Sequence, residues 1–246
     1  MCTVSFLPTA NGNFILTSNR DETRLRDTLL PQTATANNGK QLLYPKDSKA
    51  GGSWICSANS DQLVCLLNGA FVTHTRELPY RKSRGKVVLE FFEYENAHQF
   101  LANYDLDNIE PFTLVIYDNG FLAELKWDGQ KKHIRHLDTA KTHIWSSATL
   151  YNAEMKAKRE AWFETWLAEK PIFTAKTAMH FHETAGDGNE FYALKMNRFH
   201  LVETLSITCV ERKNDTLEMT YKDFVHQQIT RANIEIASTA NILARS

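Results

Sequence analysis

Short apolar runs recur along most of the chain with turn residues between them, and this pattern predicts strands joined as hairpins. The run from Cys2 to Leu7, the turn signal Asn11-Gly12 and the run Phe14 to Thr17 make the first unit. Asn-Gly is a strong hairpin signal because both residues tolerate positive φ. A polar loop with Pro31 and Pro45 follows. Gly51-Gly52 then leads into Ser53 to Ala58, and Asn59 to Gln62 turns the chain into Leu63 to Leu67 as a second hairpin. Phe112 to Tyr117 and Phe121 to Trp127 form a third across Asp118-Asn119-Gly120, with a further strand around His133 to Leu137. Thr204 to Val210 pairs with Thr216 to Tyr221 across Lys213-Asn214-Asp215.

Elsewhere the apolar period is helical. Val87, Val88, Phe91 and Phe92 recur at i, i+1, i+4 and i+5. A longer helix is predicted from about Asn152 to Glu169, with Met155, Trp162, Phe163, Trp166 and Leu167 on one stripe and Pro171 beyond its end. A shorter one covers Ala175 to His182. The aromatics of these stretches are expected to face one another in the core. Hairpins thus frame a central helical pair, with too few helices to cross over between every strand. That excludes a doubly wound parallel sheet and favours antiparallel sheets covered by helices.

Composition narrows the function classes. Hydrophobic residues make up 43% and charged residues 23% of the 246, so a substantial core can form. The net charge of −1, with Lys and Arg scattered, leaves no electrostatic footprint for nucleic acid or an acidic membrane. No apolar run reaches the roughly 18 residues a membrane span needs. The start, MCTVSFLPTANGN, has neither the basic region nor the apolar length of a secretory signal. Four cysteines without CxxC spacing point to a reduced, cytoplasmic chain. Without repeats or linkers, one domain over 1–246 is expected. No P-loop or GxGxxG is present, and His180, His182, His133 and His136 lack partners at metal-site spacing, so no cofactor and no metal are expected.

The chemistry points to the N-terminus. Methionine before a small residue is the usual substrate for methionine removal, which would give Cys2 a free α-amine. An amine titrating at about 7.7–8.0 beside a thiol titrating near about 8.5 can act as its base. The bland reading is a small apolar residue opening a strand. Asn19-Arg20-Asp21-Glu22 follows the second strand, and a hairpin would bring Arg20 and Asp21 back toward Cys2. There a guanidinium would favour thiolate and a carboxylate could hold the amine. The alternative is a surface ion pair worth about 0–1 kcal/mol. Strand alternation sends Arg20 and Asp21 to opposite sides.

Met1-Cys2-Thr3, Asn19 to Glu22, Gly51-Gly52-Ser53-Trp54, Leu67-Asn68-Gly69, Ser83-Arg84-Gly85 and Ser146-Ser147 before Asn152 resemble, in order, the motifs of the NRDE family, the transport-and-Golgi-organisation type. The resemblance implies an α+β fold: a four-layer αββα sandwich of two antiparallel sheets, as in N-terminal-nucleophile hydrolases. It makes Cys2 the nucleophile, Arg20 its thiolate partner, Asp21 the group orienting the α-amine, and Asn68 and Asn152 the oxyanion donors. Asn152 also suits a helix N-cap, and Asn68-Gly69 a turn. Two departures stand out. The arginine and aspartate are adjacent, unlike those of the cysteine amidases that cleave bile-salt conjugates and penicillin V. No arginine precedes the C-terminal strand at Val202 to Ser206, Arg198 lying earlier.

The working expectation is therefore a cysteine amidohydrolase or acylase acting on a small-molecule, non-peptide amide. The rival is a non-catalytic carrier of haem, acyl-CoA or lipid on the same scaffold. Oligomeric state has no signal in the sequence.

Overall fold

A computed structural model describes residues 3–237. Cys2 lies outside the described residues.

Strands β1 (Thr3–Pro8) and β2 (Phe14–Glu22) form the first hairpin, in register from Thr3 opposite Asn19 to Pro8 opposite Phe14. Next come β3 (Thr28–Thr35), β4 (Gln41–Asp47), β5 (Ile55–Ala58) and β6 (Gln62–Asn68). Helices α1 (Arg84–Glu90) and α2 (Ala97–Asn103) lead to β7 (Phe112–Asp118), β8 (Phe121–Trp127), β9 (Lys132–Leu137) and β10 (His143–Ser146). Helices α3 (Ala153–Ala168) and α4 (Ala175–Thr184) precede β11 (Asn197–Arg198), β12 (Val202–Lys213), β13 (Thr216–Asp223) and β14 (Gln228–Glu235).

Among the described residues these strands make two seven-stranded antiparallel sheets. One is ordered β10-β1-β2-β12-β13-β14 with β11 on β12, and the other runs β3 to β9 in chain order. Their inner faces meet: the Phe14 and Tyr117 rings lie 4.4 Å apart and those of Trp54 and Tyr221 6.5 Å apart. Helices α1 and α2 cover the outer face of the second sheet, and α3 and α4 that of the first. The result is the αββα sandwich expected from the family resemblance.

The helices do not form a central pair. Phe91, Phe92 and Phe100 pack on one outer face, while Phe163, Trp166 and Phe181 pack on the other, 4.7–5.6 Å between Phe181 and its two partners. Each fully buried ring contributes about 1.5–3 kcal/mol, so both layers are anchored by their own aromatics. Helical periodicity reports an apolar stripe, not which sheet it meets.

The stretch around Pro31 and Pro45, expected as a loop, forms β3 and β4. Proline is tolerated there because β3 is an edge strand, and the ladder shifts register between Leu29 and Gln32, where Pro31 and Pro45 sit. The hairpin β7–β8 turns on Asn119 and Gly120, both at positive φ (48° and 85°), as a two-residue primed turn requires. Strand β10 lacks a strong pattern of its own and forms through pairing with β1, distant in sequence, while β14 is added as a hairpin onto β13.

Candidate functional site

The Asn19 to Glu22 segment does not follow β2 but completes it. Asn19 pairs with Thr3 on one side and Ile207 on the other, while Arg20 lies opposite Ser206 and Asp21 opposite Thr204. A strand directs successive side chains to opposite faces. Arg20 therefore points toward the second sheet, where its guanidinium donates to Asp47 Oδ2 (3.1 Å) and to the Arg26 carbonyl (3.2 Å) and lies 4.8 Å over the Trp54 ring. Asp21 points to the helix side, accepting from the Tyr151 hydroxyl (2.8 Å) and from Thr204 Oγ1 (2.5 Å).

Arg20 borders a cavity of about 760 Å³ between the ends of the sheets. Two close backbone approaches build its walls. At the first, Ser53 N–H donates to the Gly85 carbonyl (3.0 Å), and a Cβ on Gly52 would overlap the Gly85 backbone. Only glycine lets the segment before β5 meet the start of α1, which brings Trp54 and Arg84 together. At the second, the Asn68 carbonyl accepts from Ala148 N–H (3.1 Å) and Ser147 Oγ (2.8 Å), and Gly69 turns at φ 77° with Thr149 packed above it. The glycine-rich, Asn-Gly, Ser-Arg-Gly and Ser-Ser segments singled out in the sequence thus converge on one space, lined by Arg20, Trp54, Asn68, Arg84 and Thr149 among others.

Its electrostatics are uneven. Asp47 is shared by Arg20 (3.1 Å) and Arg26 (2.9 Å), and Glu110 by Arg76 (3.1 Å), Arg84 (3.3 Å) and His74 (3.3 Å). Burial pulls the Arg84 guanidinium below its ordinary value, opposed by Glu110 and reinforced by Arg76 and Arg26. Four buried polar atoms of lining residues have no hydrogen-bond partner among the described residues: Arg26 Nε, Trp54 Nε1, His74 Nδ1 and Ser83 Oγ.

Across β2 the polar groups are satisfied. Asn19 Nδ2 donates to the carbonyls of His182 (3.2 Å) and Leu194 (2.8 Å), while Asn19 Oδ1 meets His182 Nδ1. His182 Nε2 lies 2.7 Å from Ser5 Oγ. Because an amide oxygen only accepts, Nδ1 carries the proton and Nε2 accepts from the serine. Burial, with a smaller contribution from Arg159, pushes the imidazole down to about 3, so it is neutral. Arg159, also fully buried, donates to Thr3 Oγ1 and to the carbonyls of Tyr192 (3.1 Å) and Ala193 (2.6 Å), and stacks 3.4 Å over Tyr151.

Of the residues expected at the site, Arg20 and Asn68 line the cavity, Asp21 occupies the opposite face of the same strand, and Cys2 is outside the described residues. Asn152 is exposed and caps α3, accepting from Met155 N–H (2.9 Å). Arg198 donates to the carbonyls of Phe191 (3.0 Å) and Leu150 (2.7 Å). Asp47, Arg76 and Glu110 were not legible as site residues: Asp47 sits in what reads as loop, and Glu110 acts only because Arg76, Arg84 and His74 from other segments surround it. Among the described residues no cluster of His, Cys, Asp or Glu is placed to hold a metal, and no helix is long and apolar enough to cross a membrane.

The family model for Transport and Golgi organisation 2 matches residues 1–226. No curated protein sequence matches the chain. Among solved structures, two mutants of the conjugated bile acid hydrolase from Clostridium perfringens superpose with TM-scores of 0.61 and 0.60 at 10% identity. They cover 95% and 94% of this chain and 92% of their own. The Caenorhabditis elegans orthologue of N-acylethanolamine-hydrolyzing acid amidase superposes with a TM-score of 0.59 at 12% identity, over 85% of this chain and 92% of its own. At these identities the likeness is one of fold.

Proposed function

From the premise that the chain belongs to the Transport and Golgi organisation 2 family, we propose that it is an N-terminal-nucleophile cysteine amidohydrolase acting on a small-molecule amide. One observation supports the reading: Arg20 and Asn68, from different sheets, line one cavity. Thr3, the first described residue, pairs with Asn19, the neighbour of Arg20.

In this reading removal of Met1 frees the α-amine of Cys2. The amine takes the thiol proton, and the thiolate, favoured by the Arg20 guanidinium, attacks the amide carbonyl. The oxyanion rests on the Asn68 side-chain N–H, a preset donor worth roughly 2.7–4 kcal/mol in the transition state. The proton passes to the leaving amine as the C–N bond breaks, and water then hydrolyses the thioester. Asp21, fixed by Tyr151 and Thr204, orients the amine. Asn152 is engaged as a cap, which leaves oxyanion stabilisation to Asn68.

The test compares thiols. Burial drives Cys65 and Cys209 up to about 12 and Cys56 well above its ordinary value, so all three are protonated and shielded at neutral pH. Brief iodoacetamide treatment should give one adduct, at Cys2, on protein lacking Met1. Cys2→Ala should abolish both adduct and turnover while leaving the thermal midpoint unchanged. Retained Met1, or a Cys2 no faster than Cys56, Cys65 and Cys209, overturns catalysis.

The cavity supports a second reading, carriage without turnover, because its walls combine Trp54, Leu66 and Leu78 with cationic groups suited to haem, acyl-CoA or an anionic lipid. A stoichiometric, saturable spectral titration that survives Cys2→Ala, with no hydrolysis by the unaltered chain, would decide for it.

A further inference from the structure

Donors outnumber acceptors around the cavity, and the excess is arranged rather than scattered. Five cationic side chains line it (Arg20, Arg26, Arg76, Lys82 and Arg84) against the carboxylates of Glu22, Asp47 and Glu110. This local excess of two positive charges belongs to a chain whose net charge is −1. Asp47 and Glu110 each hold two guanidinium groups, and a guanidinium carries five N–H donors, so donor capacity exceeds what the carboxylates can accept.

The unpartnered atoms point the same way. Trp54 is 97% buried, its relative exposure being 3%, yet its indole N–H has no acceptor among the described residues. Arg26 Nε is in the same position, and both groups can only donate. Ser83 Oγ, free to donate, is a third. Buried donors without acceptors are destabilising, a cost a fold tolerates where a ligand supplies the acceptor. Apolar surface from Leu66, Leu78 and Pro79 adjoins them.

We infer that this cavity binds an anionic amphiphile, its oxyanion head, a carboxylate or phosphate, accepting hydrogen bonds from Trp54 Nε1, Arg26 Nε and Ser83 Oγ beside Arg84. The inference rests on this cavity being the functional site proposed above, and it names the class of substrate or cargo. Trp54 is its specificity residue. The indole N–H needs an acceptor, which an ammonium head lacks, while the single oxygen of a neutral alcohol cannot serve three converging donors or offset the surrounding guanidinium charge.

The experiment uses the full-length Cys2→Ala chain, so binding is read without turnover. Decanoate, decyl phosphate, decanol and decylamine are titrated calorimetrically. At least one anion should bind saturably at one site, with decanol and decylamine at least tenfold weaker, and added salt should weaken the anion. Whichever of decanoate and decyl phosphate binds more tightly identifies the head group. Trp54→Phe, which removes the N–H and leaves a smaller aromatic ring, should weaken the anion about tenfold and decanol, which reports the lost ring area, far less. Circular dichroism of that variant verifies its fold, and Ser83→Ala provides a second, gentler deletion expected to weaken the anion severalfold. Equal binding of decanol or decylamine, no anion binding, or anion affinity indifferent to both substitutions overturns the inference. Binding as expected in a chain whose Cys2 is unreactive would instead overturn the hydrolase reading and leave this one standing.

Discussion

The two faces of β2 carry polar side chains from the same tetrapeptide and treat them in opposite ways. On the helix side Asn19 and Asp21 are saturated: each oxygen and nitrogen described has a partner in α4, β12 or the segment before α3. On the inter-sheet side Arg20 and Glu22 join a cavity whose walls hold unpartnered donors and shared carboxylates. Both faces are buried, so burial alone does not separate scaffold from site. Completeness of hydrogen bonding does. A saturated buried network gives one rigid arrangement, whereas an unsaturated one keeps interaction free energy for something that arrives later.

The sharpest way to break this comparison is Asn19→Leu. It keeps volume but strands the His182 and Leu194 carbonyls and the His182 N–H, and should cost about 3–5 kcal/mol, read as a lower urea midpoint. A loss below about 1 kcal/mol would mean the helix-side network is not what holds α4. Gly52→Ala comes next. Its Cβ would overlap the Gly85 carbonyl and push α1 from the cavity wall, at about 2–4 kcal/mol and with loss of cavity function. Unchanged stability there would remove the packing reason for the paired glycines.

Acid tests the saturated face without mutation. His182 is held down to about 3, against about 6.5 in the unfolded chain, because burial disfavours its charged form. The unfolded state therefore binds a proton that the folded state refuses as pH falls from 6.5 toward 3. The stability present above pH 6.5 is lost across that window, about 2 kcal/mol by pH 5. Urea midpoints at pH 7 and 5 should show the loss, and His182→Gln should flatten this part of the profile. The smallest effect lies on the unsaturated face. Ser83→Ala deletes a donor without a partner and should leave stability unchanged or slightly raised, while in Trp54→Phe the relief of an unpartnered N–H offsets the lost indole packing under Arg20, for a net change below about 1 kcal/mol. A destabilisation above 1 kcal/mol in both would show those donors to be satisfied in the folded protein and would erase the contrast.

Much of the antiparallel architecture was legible, because hairpins are local. Asn11-Gly12, Asp118-Asn119-Gly120 and Lys213-Asn214-Asp215 each mark a turn whose strands pair with each other. The motifs that line the cavity were legible as motifs, and strand alternation parts Arg20 from Asp21 as the sequence implied. What stayed hidden had no local signal. Glu110 matters through Arg76, Arg84 and His74, and Arg159, on the predicted helix, is fully buried under Tyr151 although nothing in the helical period distinguishes it from a surface arginine.

By itself the sequence determined which segments extend, where they turn, and which short motifs are unusual enough to mark a site, since strand alternation, turn dihedrals and glycine's freedom act over a few residues. Only the tertiary structure decided which motifs meet, which helices cover which sheet, and which buried donors lack acceptors. Those depend on contacts between residues far apart in the chain, such as Gly52 with Gly85, Asn68 with Ser147 and Asn19 with His182, and no local periodicity encodes a partner.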